Sequence, residues 1–129
     1  MSPKLTVLLL AAMAIVAVNG QANQCVPLGQ RLLGTCDQEL SFLESIYPLN
    51  SEVPPTEAQI KQVEDTKPAG LPRPACCTAV INFDKAACPC DASIITTLAV
   101  LDISATSTGL QGVTSFTGPL CDFTPTKCS

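Results

Sequence analysis

The side chains richest in chemistry in this 129-residue chain are its eight cysteines: Cys25, Cys36, Cys76, Cys77, Cys88, Cys90, Cys121 and Cys128. A cysteine can ligate a metal, attack as a thiolate or close a disulfide. Zinc sites keep thiolates reduced and often recruit histidine, and the sequence contains no histidine. A catalytic triad would lack the same base, and there is no glycine-rich phosphate loop. An even count of cysteines in a small chain that leaves the reducing cytosol points to a disulfide framework. The chain is therefore not expected to be an enzyme, and no metal or cofactor is expected.

The departure from the cytosol is read from the first residues. A basic stub, MSPK, precedes the apolar run LTVLLLAAMAIVAV, Leu5 to Val18, and then NGQANQ. A charged start, an apolar centre of about 14 residues and a small-residue end have the form of a secretory signal peptide. The run falls short of the roughly 20 apolar residues that a membrane span needs. Val18 and Gly20 suit cleavage after Gly20, so residues 1–20 are read as signal peptide and residues 21–129 as one mature domain. The C-terminal FTPTKCS has no apolar tail for a lipid anchor. The expected location is secreted, extracellular or in a cell wall, with no stable membrane insertion. Without Lys4, six basic residues face eleven acidic ones, a net charge near −5. That balance disfavours nucleic acid and anionic membranes as partners, and the absence of tryptophan removes a stacking platform for bases. A monomer is expected.

Half of the cysteines lie in RPACCTAVINFDKAACPC, Arg73 to Cys90. Neighbouring residues on a helix point about 100° apart, so Cys76 and Cys77 address different partners, and a bridge between them would be strained. Cys88 and Cys90 flank Pro89, which cannot continue a helix comfortably. The stretch reads as a hub whose sulfurs reach the first segment and the tail. Cys76, Val80, Phe83 and Ala87 share one helical arc over Ala75 to Cys88, with Pro74 placed just before it. Asp84 falls inside that arc. Either the helix loosens there, or Asp84 reaches an edge or a basic partner; the less favoured alternative is a carboxylate facing a ligand.

The rest of the chain reads as further helices. Gln24 to Tyr47 is helical, with Asp37 as a cap for a second helix carrying Leu40, Leu43, Ile46 and Tyr47, and Pro48 as its stop. Residues 49–74 change character: Pro54, Pro55, Pro68, Pro72 and Pro74 mix with charge. This segment reads as a solvated insertion, a tolerated surface excursion more than a partner-binding loop. Thr56 and Gln59 resemble a capping box for a short helix inside it. Asp91 or Ser93 starts a helix with Ile94, Ile95, Leu98 and Leu101 at helical spacing. SATST, Ser104 to Thr108, is a polar break. The last helix, with Leu110, Val113 and Phe116, is the weakest because of Gly109 and Gly112; irregular chain is expected after Pro119.

The cysteine order is one, one, a doublet, Cys-x-Cys, one, one. It resembles the eight-cysteine pattern of plant non-specific lipid transfer proteins, bifunctional amylase/protease inhibitors and 2S seed albumins, carried best by PACCTAVINFDKAACPC. The resemblance implies an all-α, disulfide-stapled four-helix bundle, a right-handed superhelix around an apolar cavity. It implies Cys36–Cys76 and Cys77–Cys121. The type 2 or defence-signalling branch would add Cys25–Cys88 and Cys90–Cys128; type 1 would give Cys25–Cys90 and Cys88–Cys128. The former is favoured, although spacing alone permits 105 pairings. Two gaps depart from the pattern: 39 residues between Cys36 and Cys76, and 30 between Cys90 and Cys121.

Four bridges, at about 2–4 kcal/mol each, can hold a fold whose interior is not densely packed. The expected function is binding and transfer of a fatty acid, lysolipid or other apolar small molecule. The expected lining is Leu32, Leu40, Leu43 and Ile46 from the first helices, Val80, Ile81 and Phe83 from the hub, Ile94, Leu98 and Leu101 from the next helix, and Val113 and Phe116 from the last. The second expectation is an inhibitor of a digestive amylase or serine protease, with the 26-residue insertion as its loop. Seed storage is the third and least attractive of these, with seven glutamines and no evident processing site.

Overall fold

In the computed structural model, residues 24–128 are described, and every regular element among them is helical. The signal-peptide reading of residues 1–20 lies outside them. Helix α1 spans Cys25–Thr35 and α2 Asp37–Glu44. The expected division into two helices falls at Cys36, whose N–H still bonds the Leu32 carbonyl and whose own carbonyl accepts from Leu40, both at 2.8 Å. Asp37 is not the cap. It lies inside the first turn of α2, and its carboxylate goes to Arg73.

The insertion carries α3, Glu57–Thr66. Its start is the capping box seen in the sequence: Thr56 Oγ1 accepts the Gln59 N–H at 3.1 Å, and Gln59 Oε1 accepts the Thr56 N–H at 2.9 Å. Helix α4, Pro74–Lys85, begins with proline at its first position, where a missing N–H is harmless. It stops three residues before Cys88, because Ala87 turns left-handed at φ 56° and delivers the chain into a 3₁₀ turn, Cys88–Cys90, built on Pro89. Helix α5, Ala92–Val100, is capped by Asp91, which accepts the Ser93 N–H at 2.9 Å. Helix α6, Ser107–Cys121, is capped by Thr106, which accepts the Gly109 N–H at 2.9 Å.

The described residues form an all-α, disulfide-stapled helical bundle of six α-helices: the second helix of the first region and the short helix of the insertion, both expected from the sequence, stand beside the four that the resemblance implies. One expectation needs correction: α6, expected to be the weakest helix and to give way after Pro119, is the longest described helix and runs through Pro119 to Cys121. Its glycines are contact points. A β-carbon on Gly109 would overlap the Leu49 carbonyl, and one on Gly112 would enter the Tyr47 ring. Close packing here outweighs the helix cost of glycine, about 1 kcal/mol per residue.

The bridges are Cys25–Cys88, Cys36–Cys76, Cys77–Cys121 and Cys90–Cys128, with no cysteine left free. This is the set that the type 2 resemblance favours. Cys76 and Cys77 do diverge, one to the α1–α2 junction and one to the end of α6. Helix α4 thus packs against α1 and α6 and is riveted toward both. Closing the 40-residue span between Cys36 and Cys76 is worth about 4 kcal/mol by chain entropy. Four disulfides mark a fold made for an oxidising environment. Among the described residues no helix is long and apolar enough to cross a membrane.

Nor is the insertion a solvated excursion. Leu49 and Val63 belong to the apolar core, Val63 at 1% exposure. The Leu49 carbonyl accepts the Thr106 N–H at 3.0 Å, and the Tyr47 hydroxyl donates to Val53 at 2.8 Å. These ties explain why α3 is ordered within so proline-rich a segment.

The two kinds of glycine separate in a stability measurement. Gly109→Ala should destabilise by about 3 kcal/mol through overpacking against Leu49. Gly34→Ala, with nothing within 4 Å of the added carbon, should stabilise by about 0.5–1 kcal/mol. Urea denaturation of both variants checks the pair.

Candidate ligand cavity

Apolar residues from five helices and one loop converge on a central cavity. Gly29, Leu32 and Leu33 of α1 meet Leu40 of α2 and Val80 and Phe83 of α4. Ile94 and Leu98 of α5, Leu110, Val113 and Thr114 of α6, and Leu49 of the insertion complete the wall. The accessible wall is entirely apolar. Thr114 fits this surface because its hydroxyl donates to the Gln111 carbonyl at 2.8 Å. The volume is about 30 Å³, close to the space one water occupies in the liquid. The expected tunnel is, in this state, a narrow seam between close-packed side chains.

Seven expected lining residues reach it: Leu32, Leu40, Val80, Phe83, Ile94, Leu98 and Val113. Five do not. Leu43 faces a second cavity instead. Phe116, 1% exposed, stacks edge-on against Tyr47 with ring centroids 5.4 Å apart. Leu101 is buried just past the end of α5 but lines neither space. Ile46, which lies beyond α2, and Ile81 are only half-buried. Helical periodicity places a residue on an inward arc without saying which inward neighbour it meets. The missed positions have their own reasons. Gly29 has no side chain to count, and Leu49 follows Pro48 outside any periodic run. Leu110 carried the helical spacing and was readable, and Leu33 directly follows Leu32 on the same helix. Thr114 counts as polar until its hydroxyl is seen to be bonded within its own helix.

The second cavity, about 20 Å³, also has an accessible wall made of apolar surface. Glu39, Phe42 and Leu43 of α2 face Val63 of α3, its cap Lys67, then Leu71, Pro72 and, from α6, Thr117 and Leu120. Both cavities take lining residues from α2 and α6. Leu40 and Val113 serve the first; Leu43 and Thr117, about one turn on, serve the second.

Charge beside the second cavity is organised by Arg73. Its backbone N–H and its Nε donate to Glu39 Oε2 at 2.8 and 3.1 Å. Its Nη2 donates to Glu39 Oε1 at 2.7 Å, the Thr35 carbonyl at 2.8 Å and Asp37 Oδ1 at 3.0 Å. Burial by itself pushes the Glu39 carboxyl up, but the hydrogen bonds and charge of Arg73 together outweigh it and hold the group below its ordinary value. The Arg73 side-chain bond likewise lowers exposed Asp37, and both carboxylates raise the guanidinium. Asp84, 4% exposed, lies one residue before the end of α4 and has no basic side chain within ion-pair distance among the described residues. It accepts the Thr126 N–H at 3.0 Å and the Thr126 hydroxyl at 3.1 Å, so it fastens the C-terminal tail.

Among the described residues, no cluster of histidine, cysteine and carboxylate groups could hold a metal ion. Comparison of the chain with family models, with curated proteins and with solved structures finds no match.

Because Glu39 titrates lower folded than unfolded, its stabilisation is fully present above its unfolded value of 4.5 and is lost as pH falls from there through the folded value. Glu39→Gln should therefore lower stability near neutral pH. It should also give a shallower acid decline than the parent between about pH 5 and pH 3. Urea midpoints measured across that range for both proteins check the sign.

Proposed function

We propose that this protein is a secreted carrier that holds an acyl chain or similar apolar ligand between its helices. One observation supports it most: a disulfide-held, all-helical shell closes on a cavity whose accessible wall is wholly apolar. The seam is narrow, so a ligand occupies it by parting the helices. The energetics permit this. About ten buried methylenes contribute about 8 kcal/mol, micromolar affinity before the work of widening is subtracted. The shell also has parts that can yield. Bridged cysteines lie within or cap α1, α2, α4 and α6, whereas α3 and α5 hold none. Helix α5 supplies Ile94 and Leu98 to the central wall. It is the wall helix that covalent chemistry restrains least.

The inhibitor reading loses ground on the insertion. The insertion is anchored at Val63, which is buried, and at Arg73, which is committed to Glu39 and Asp37; what it projects into solvent is the turn around Val53, which carries no basic residue for a trypsin-like pocket. The form of the first residues and the disulfide count support the secreted part of this reading.

The oxidised mature protein should bind a fluorescent fatty acid saturably and release it to unlabelled lysolipid. Absence of binding, with inhibition of amylase or trypsin instead, would overturn the carrier reading. Gly29→Ala sharpens the test. Its added carbon meets Ile94 Cδ1 at 3.4 Å and Phe83 Cε2 at 3.8 Å, ordinary contacts inside the cavity. The variant should be more stable by about 0.5–1 kcal/mol, yet bind the probe several-fold more weakly, as read by thermal melting and by titration.

A further inference from the structure

The four bridges differ in how open they are to solvent. Cys25 is 5% and Cys88 0% exposed, and Cys36 and Cys76 are 1% each. Cys77 and Cys121 are half-buried. In the fourth bridge Cys90 is exposed and Cys128 half-buried. Its footing differs as well. Each of the other three has at least one cysteine inside an α-helix, whereas Cys90 lies in the 3₁₀ turn and Cys128 in the irregular chain after α6. A disulfide opens when a thiolate attacks one of its sulfurs, so access selects the bridge that reacts. Here the accessible bridge is also the one whose opening leaves every α-helix tied as before.

The chain that this bridge holds has fastenings of its own. The Phe123 N–H donates to the Gly118 carbonyl at 2.9 Å. Thr126 gives its N–H and its hydroxyl to the Asp84 carboxylate at 3.0 and 3.1 Å. Asp84 is buried, so releasing Thr126 would strip a carboxylate of these donors, which is costly. That fastening stands two residues before Cys128.

We propose that Cys90–Cys128 is a site of reversible thiol–disulfide exchange with external dithiols, and that the Asp84–Thr126 bonds are its retainer. A thiolate of the dithiol bonds to the exposed Cys90 sulfur; the S–S bond breaks, and Cys128 departs as a thiolate and takes up a proton. The second thiol of the reagent gives up its proton and attacks the mixed disulfide. The reagent leaves as a disulfide and Cys90 as a thiol, so two electrons have passed to the bridge. Run backwards, an external disulfide caps Cys90, and Cys128 displaces the cap. Thr126 stays on Asp84 throughout and keeps Cys128 within reach, so the same bond re-forms. Without the retainer, the tether to Cys128 starts at Cys121, seven residues away, instead of at Thr126, two away. Effective concentration falls as about the −3/2 power of tether length, which makes reclosure about sixfold slower. This goes beyond the carrier reading and does not depend on it.

The oxidised mature protein is treated with dithiothreitol in native buffer, quenched with iodoacetamide at intervals and mapped by mass spectrometry. Alkylation should appear at Cys90 and Cys128 about tenfold faster than at any other cysteine. A different bridge opening first, or all four opening together, overturns the exchange site. Reclosure is followed by adding oxidised glutathione to the protein with this one bridge open. Asp84→Ala should close about sixfold more slowly. So should Thr126→Pro, which removes both donors at an exposed position and leaves the buried side chain in place. The order of opening should be that of the parent in both. Reclosure of Thr126→Pro at the parental rate overturns the retainer, whether or not Asp84→Ala folds.

Discussion

Two adjacent residues pulled in opposite directions set the shape of this molecule. Cys76 is bound to Cys36 and Cys77 to Cys121, and because neighbouring helix positions diverge by about 100°, α4 cannot rotate without straining one bond or the other. That fixes which face of α4 looks inward. Val80 and Phe83 follow at helical spacing and become the floor of the central cavity. The other two bridges gather the remaining ends onto the turn around Pro89, Cys25 from the first helix and Cys128 from the tail. With the frame covalent, close packing is needed along it but not everywhere, and two helices are left to be held by side-chain contacts alone.

Legibility in the sequence followed the kind of force involved. Local chemistry could be read: Thr56 and Gln59 do form a capping box, Asp91 does start α5, and Pro74 does open α4. Divergence of the cysteine doublet was a matter of helix geometry and could be read as well. Interactions between distant residues could not. Nothing near Gly109 and Gly112 announces that Leu49 and Tyr47 will press against them, so propensity alone made α6 the weakest helix when it is the longest of those described. Asp84 appeared misplaced on an apolar arc because its partner, Thr126, lies 42 residues away. The cavity wall was half legible for the same reason. Periodicity marks the inward side of each helix, but whether an inward residue meets a void or a neighbour depends on the other helices.

The 49–74 segment shows how composition misleads. Prolines and charges suggested solvent, and much of its surface is exposed. Yet a single apolar residue, Val63, reaches full burial, and Arg73 satisfies a carboxylate on α2 that burial would otherwise penalise. One apolar anchor within the insertion's helix and one charged anchor at the insertion's end are enough to make it part of the fold. Its polar sequence then reflects the outer surface it presents, with little bearing on how firmly it is held.

The fastening of Asp84 by Thr126 bears on how the chain comes together as it is made. Synthesis proceeds from the N-terminus, so α4 with its carboxylate is made before the residues that satisfy it. Loss of the last few residues would leave that buried carboxylate without its backbone and hydroxyl donors, a cost borne on the same helix that carries the cysteine doublet.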